Sequence, residues 1–176
     1  RYKFCRIWKK FWCWSSSQRN KLLLKMFSSM DMLFMERAIE LAKESFNDGE
    51  VPVGAVIVKD ETIIGEGKNR VIFDNDVTSH AEINAIRDAA KSIDNYRLNE
   101  CSMYVTLEPC HMCAKAAVDA RISSIIFAAL EPKTGSLISI DNFFDKKELN
   151  HNPNFKYGLL KDESSKLLKD FFRLRR

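Results

Sequence analysis

SMYVTLEPCHMC, residues 102–113, is the stretch on which the reading of this chain turns. Its first half, Ser102 to Leu107, is a short run rich in apolar and β-branched residues, the pattern of a buried strand. Pro109 is placed to be the first residue of a helix, where its missing N–H costs nothing, and the helix predicted from it runs to about Ala120. Cys110 and Cys113 fall three apart on that helix, so their sulfurs share a face and can grip one ion. A helix N-terminus carries partial positive charge, which favours the thiolate that a metal requires.

Upstream, His80-Ala81-Glu82 opens a second helix, with Thr78 or Ser79 expected to cap it. It continues through Ile83, Ala85, Ile86, Ala89 and Ala90. His80 supplies a third ligand beside Cys110 and Cys113. One imidazole and two thiolates suit Zn²⁺, and three protein ligands leave a fourth position for water, the mark of a catalytic site. Zinc brings the pKa of its water toward ~7. Glu82, two residues after the histidine, is expected to face that water and move protons rather than bind metal. A redox C-x-x-C would need neither His80 nor Glu82. Cys101 reads as a core residue at a strand start, His151 as part of a distant loop, and His111 as exposed or substrate-facing.

The flanking elements complete the pattern. Phe34, Ala38, Leu41, Ala42 and Ser45/Phe46 recur at helical spacing from Asp31, and Asn47-Asp48-Gly49 ends that helix with a left-handed glycine. Val53–Val58 and Thr62–Gly67 read as the two strands of a hairpin turning at Lys59-Asp60-Glu61. Residues 68–79 form a polar loop. Ser124–Ala129 is a further strand, a loop and short helix follow, and Asp162–Arg175 is a last amphipathic helix. Strands alternating with helices imply an α/β domain whose helices cover a sheet. Gly65-Glu66-Gly67 lacks the following helix of a dinucleotide fingerprint, and Lys133-Thr134 lacks the upstream glycines of a phosphate loop.

The chain has 176 residues, 45% of them hydrophobic and 30% charged, with a formal net charge of +4. That balance excludes a collagen, a disordered polyelectrolyte and a disulfide miniprotein. No apolar run approaches the ~18 residues of a membrane-spanning helix. Residues 1–29 hold eight basic residues and no acid, leaving 20 basic and 24 acidic residues for the remainder. The remainder is therefore mildly acidic, and a polyanion site must be a local patch. Residues 1–29 read as an extension separate from a domain at 30–176. Three readings of it stay open: a misassigned start or disordered tail, an organelle transit segment, or an amphipathic arm. The five cysteines and the absence of an N-x-[ST] site fit a cytoplasmic protein better than a disulfide framework.

Residues 161–176 supply the local patch, with six basic residues against three acids and with Phe171 and Phe172 interleaved. Aromatics stack unpaired bases and arginines hold phosphates. The competing reading is a solvated amphipathic helix with its Leu and Phe residues partly in the core.

Val51-Pro-Val-Gly-Ala55, Gly67-Lys-Asn69, His80-Ala-Glu82, Asn95-Tyr-Arg-Leu98, Thr106–Cys113, Lys133-Thr-Gly135, Asp170-Phe-Phe-Arg173 and Arg175-Arg176 together resemble the zinc-dependent cytidine deaminase superfamily. Within it the chain looks most like the bacterial tRNA-specific adenosine deaminases, from about Met35 to Arg176. The resemblance implies a three-layer α/β/α sandwich around a mixed sheet of about five strands. It implies one zinc per subunit on His80, Cys110 and Cys113, with Glu82 as proton shuttle. Asn69 and the Ala81 N–H would contact the base, Val53 and Pro109 would wall the pocket, and Phe172, Arg173 and Arg175 would hold a tRNA anticodon stem-loop. The implied reaction is deamination of the wobble adenosine to inosine, by a homodimer. Lys115, where glycine is usual, and Glu131-Pro132, where Asp and a small residue are usual, depart from the pattern. A deaminase of free guanine or cytidine, and a zinc-stabilised binding module, are the competing functions; Glu82 speaks against the second.

Overall fold

The computed structural model describes residues 27–175. Residues 1–26 of the expected extension, and Arg176, lie outside the described residues. The elements are α1 (Ser29–Asn47), β1 (Gly54–Lys59), β2 (Thr62–Lys68), α2 (Ala81–Ser92), β3 (Ser102–Leu107), α3 (His111–Asp119), β4 (Ser124–Ala129), a 3₁₀ turn (Phe143–Asp145), β5 (Asn154–Tyr157) and α4 (Lys161–Leu174).

The five strands form one sheet in the order β2-β1-β3-β4-β5. β1 pairs antiparallel with β2 and with β3, and β3, β4 and β5 run parallel. Lys59 opposes Thr62, so Asp60 and Glu61 alone make the hairpin turn, both at positive φ, the geometry that matches strand twist. One sheet face (Ala55, Ile57, Met103, Val105, Ile125, Phe127) packs against α2 and α3 through Ala81, Ala85, Ala89, Ala114 and Ala117. The other face (Val56, Val58, Tyr104, Ile126, Ala128) packs on α1 through Phe34, Met35, Ala38 and Leu41, and Phe171 of α4 meets Phe46 of α1. Helix, sheet and helix make the three layers that the sequence implies.

Several boundaries differ from those read in the sequence. α1 starts at Ser29 rather than Asp31, because Ser28 and Asp31 form a reciprocal capping box. Residues 28 and 29 therefore belong to the domain. Asp31 also accepts the Tyr104 hydroxyl at 2.5 Å, which fixes the start of α1 to β3. Neither Thr78 nor Ser79 caps α2; His80 is the cap residue, and it makes no side-chain capping bond. Thr78 is taken up by Asp76 and Ser79 by Asp74. Pro109 is not the first helical residue either: Cys110 is the cap and α3 opens at His111. Beyond β4, a fifth strand appears at Asn154–Tyr157, in a stretch read only as loop and short helix. Its residues are mostly exposed, so it lacks the apolar run that marks β3 and β4.

Gly65 and Gly67 of β2 let α2 lie against the sheet. A Cβ on Gly67 would meet the Ala81 carbonyl and the Ala85 amide, and one on Gly65 would meet Ala85 and Ala89 backbone. These are backbone neighbours that cannot swing away. Gly67→Ala should therefore destabilise the domain by about 1–3 kcal/mol, the usual effect of overpacking, read as a lowered thermal melting temperature with the secondary structure retained.

Candidate active site

Two helices begin on the same face of the sheet, and their first residues meet. His80 caps α2 and Cys110 caps α3, both in extended backbone conformation and both without a side-chain capping bond. Cap positions ordinarily carry Ser, Thr, Asp or Asn to satisfy the free amides of the first turn. Here the cap side chains turn toward each other instead. His80 Nδ1 lies 3.8 Å from Cys110 Sγ and 3.5 Å from Cys113 Sγ, and the ligating atoms of all three residues lie within 4.8 Å of one another. A tetrahedral zinc with Zn–N of ~2.0 Å and Zn–S of ~2.3 Å sets N and S ~3.6 Å apart. The donor set and its spacing therefore fit such an ion.

Electrostatics supports the same conclusion. The Cys110 thiol is drawn down to about 4 by its hydrogen bond to Cys113, with His80 adding to the effect against desolvation. The Cys113 thiol is pushed far up by Cys110 and by burial. The pair gives up its first proton readily and holds the second, because two adjacent thiolates need a cation between them. The Cys110 sulfur also raises the pKa of His80.

Glu82, in the first turn of α2, is buried. Desolvation raises its carboxyl pKa, and the neighbouring Cys110 sulfur adds to that. A carboxyl raised in this way takes up and gives back a proton closer to neutrality than an exposed one.

Asn69, the residue after β2, is buried, and its side-chain amide donates to Glu50 Oε2 at 3.1 Å. Glu50 is itself buried, and its Oε1 accepts the Ile72 and Phe73 amides at 2.8 Å each. Val53 is buried, and its carbonyl accepts the Asn69 backbone N–H at 3.1 Å. Ala81 is buried at the first helical position, where the N–H has no intrahelical acceptor. Pro109 is buried, and its carbonyl accepts both the amide and the hydroxyl of Ser136.

Glu108 organises the far side. Its carboxylate accepts the amides of Glu131, Leu137, Ile138 and Ser139, together with the Ser139 hydroxyl. Gly135 pairs with Cys110, and a Cβ there would strike the Glu108 carboxylate. The loop carrying Glu131-Pro132 is thereby closed over the start of α3. Sequence reading missed both Glu50 and Glu108, although each directly precedes an X-Pro or Pro step of a quoted motif (E-V-P and E-P). That combination of a charged residue and a chain-direction marker was the available signal.

The remaining residues singled out in the sequence lie outside this cluster. Phe172 is half exposed while Phe171 is buried. Arg173 pairs with Asp170 at 3.1 Å. Arg175 stacks over Phe171 and donates to the Gly49 carbonyl. His111 is exposed, 3.0 Å from Asp141. Lys115 pairs with Asp119 along α3. Cys101 is buried in the core, and His151 contacts the Ile122 carbonyl.

A sheet with helices on both faces, and a His-Cys-Cys group beside a buried glutamate, is the arrangement of a hydrolytic deaminase of the metal-dependent class. The family model of MafB19-like deaminases matches residues 29–176, and the chain belongs to that family. It is 47% identical to the tRNA-specific adenosine deaminase of Haemophilus influenzae over 86% of this chain and 88% of that one. It is 37% identical to the tRNA-specific adenosine deaminase of Bacillus subtilis over 82% and 90%. A structure from a study of A-to-I editing by tRNA:A34 deaminases at the wobble position of transfer RNA superposes with a TM-score of 0.75 at 42% identity, covering 77% of this chain and 98% of that one. The guanine deaminase of Nitrosomonas europaea shares the fold at 24% identity and a TM-score of 0.69, over 80% and 83%.

Glu108→Gln would turn an amide NH₂ toward backbone donors, and is expected to destabilise the protein by about 1–3 kcal/mol. Burial pushes the Glu108 carboxyl up, but the hydrogen bonds from Ser139 and its neighbours outweigh it and hold the value below the ordinary 4.5. A depressed folded value contributes stability that is complete above the unfolded pKa and fades as pH falls through the folded one. The gap in melting temperature between wild type and Glu108→Gln should thus be full at neutral pH and shrink on acidification below 4.5.

Proposed function

We propose that this protein converts the wobble adenosine of a tRNA anticodon to inosine by zinc-dependent hydrolytic deamination, as a cytoplasmic homodimer with one zinc per subunit. The observation that carries the reading is the His80, Cys110 and Cys113 group set beside buried Glu82. It occurs in a chain 47% identical to a tRNA-specific adenosine deaminase.

His80, Cys110 and Cys113 would hold the metal. Zinc bound by three protein ligands supplies a Lewis acid that makes water nucleophilic near neutral pH. Glu82 takes a proton from the attacking water as its oxygen bonds to C6 of the purine, and passes that proton to N1. It then carries the remaining hydroxyl proton to the amino group, the C6–N bond breaks, and ammonia leaves with a carbonyl at C6. Water is consumed and no oxidant is needed. Burial suits Glu82 to this exchange, because its raised pKa makes both proton uptake and release accessible.

Asn69 would orient the base. Its amide nitrogen is held by Glu50, so the carbonyl oxygen is fixed in direction. The Ala81 N–H offers a second contact, and Val53 and Pro109 form apolar walls. On α4, Phe172 and Arg173 are exposed, as stacking and phosphate contact with an unpaired loop require. Arg175 would add positive charge from its place at Gly49.

An anticodon stem-loop with a wobble adenosine should be converted to the inosine form by the purified protein, while free adenosine, guanine and cytidine remain unchanged under the same conditions. Turnover of guanine or cytidine alone would reject the proposal. Glu82→Ala should keep its zinc, measured by elemental analysis, and lose at least ~10²-fold in turnover, as loss of a general acid–base does.

A further inference from the structure

The loop between Asn69 and His80 carries an aromatic ring that the core does not use. Phe73 is 72% exposed. The Arg70 guanidinium lies over the ring, 4.2 Å from its centroid, and is itself clamped to Asp74 by contacts of 2.9 and 3.2 Å. We propose that Phe73, backed by Arg70, is a stacking platform for an unpaired nucleobase adjacent to the target adenosine in the same RNA. The inference rests on the RNA-deaminase reading given above.

Three observations carry it. The first is position. The Phe73 and Ile72 amides and the Asn69 side chain are all bound to the carboxylate of Glu50. The ring is therefore fixed relative to the amide that would orient the target base, four residues away in the chain. The second is preorganisation. An aromatic ring whose one face is already covered by a clamped cation loses little freedom when a base covers the other. The third is charge. The two acids of the loop do not face outward unpaired: Asp74 is bound by Arg70 and Ser79, and Asp76 by Thr78, with Arg87 3.8 Å away. A phosphate chain passing the ring thus meets paired charges rather than a bare carboxylate. Ile72 and Val77 are also exposed on this loop, so the same surface could instead be covered by a second copy of the chain. The stacked cation and the tie to Asn69 favour a base.

The test uses the full chain and an anticodon stem-loop with a wobble adenosine, with 2-aminopurine placed at the nucleotide on either side of it in two separate RNAs. Phe73→Ala should raise KM roughly tenfold, the ~1.4 kcal/mol of one base stack, and leave kcat within about twofold. Phe73→Trp should restore KM, and Phe73→Leu, which keeps apolar bulk without a ring, should not. Fluorescence quenching on binding should be lost in Phe73→Ala at one of the two flanking positions. An unchanged KM in Phe73→Ala, rescue by leucine, or quenching that is the same in wild type and variant at both positions would overturn the inference while leaving the deaminase reading intact. So would dissociation of Phe73→Ala to monomers at concentrations where wild type sediments as a dimer. A wild-type protein that forms no inosine in the RNA would overturn both.

Discussion

The chemistry of this protein depends on two helix N-termini being held against one face of one sheet. α2 follows β2 and α3 follows β3, and small residues let both helices lie close to the strands: Ala81, Ala85 and Ala89 of α2 over Gly65 and Gly67, and Ala114 and Ala117 of α3 within the same apolar layer. The cap residues of these helices, His80 and Cys110, forgo capping and converge with Cys113. Backbone packing, rather than attraction among the three side chains, brings them together. Left to themselves, two thiols and an imidazole at 3.5 to 3.8 Å compete for protons. A cation would resolve that competition, and the donor set that the fold brings together fits one.

Three buried carboxylates divide the work around this cluster, and their surroundings decide the division. Desolvation acts on Glu82 and Glu108 in the same sense, upward. Glu108 receives four amides and a hydroxyl and ends below its ordinary value, whereas Glu82 is without such a set and ends above it. An ionised group with hydrogen bonds on every lone pair is a fixed structural part; one without them is able to exchange protons. Glu50 resembles Glu108 in use, since it binds two backbone amides and the Asn69 side chain. Glu50 and Glu108 thus stiffen the loops that they bind, and Glu82 is left without a comparable set of donors. Removing a donor from either loop would leave a buried charge partly unpaired, an expensive state, so each loop is held closed by the carboxylate it covers.

What could be read from the sequence follows from how local each signal is. β3 and β4 are continuous apolar runs, and β1 and β2 are joined by a two-residue turn; all four are legible within a window of a few residues. The candidate site was legible because spacing and residue type coincide at His80, Glu82, Cys110 and Cys113. The caps of α2 and α3 were not, because the clustered His80 and Cys110 occupy the cap positions, and Thr78 and Ser79, residue types that usually cap, are consumed by Asp76 and Asp74. β5 was not located because Asn154, Phe155 and Lys156 are exposed on an edge strand and carry no alternation. Glu50 and Glu108 were passed over for a different reason. A glutamate between structured segments looks solvated in a sequence, and its burial arises only when loops tens of residues away fold onto it.

The C-terminal helix shows how a charge patch read as one feature separates into parts. Phe171 is buried against Phe46 of α1 while Phe172, its neighbour, is half exposed, so one aromatic anchors the helix and the other is available. The arginines divide in the same way. Arg173 stays at the surface beside Asp170. Arg175 folds back over Phe171 and reaches the carbonyl of Gly49, the residue immediately before Glu50. Through that turn, the end of α4 is joined to the carboxylate that holds Asn69 and the Phe73 loop. Charge at Arg173 is shared with Asp170 and open to solvent, where it is screened by salt. Arg175 instead joins the end of α4 to a turn that the backbone bonds of Asp48, Gly49 and Glu50 to Glu44, Phe46 and Ser45 already hold.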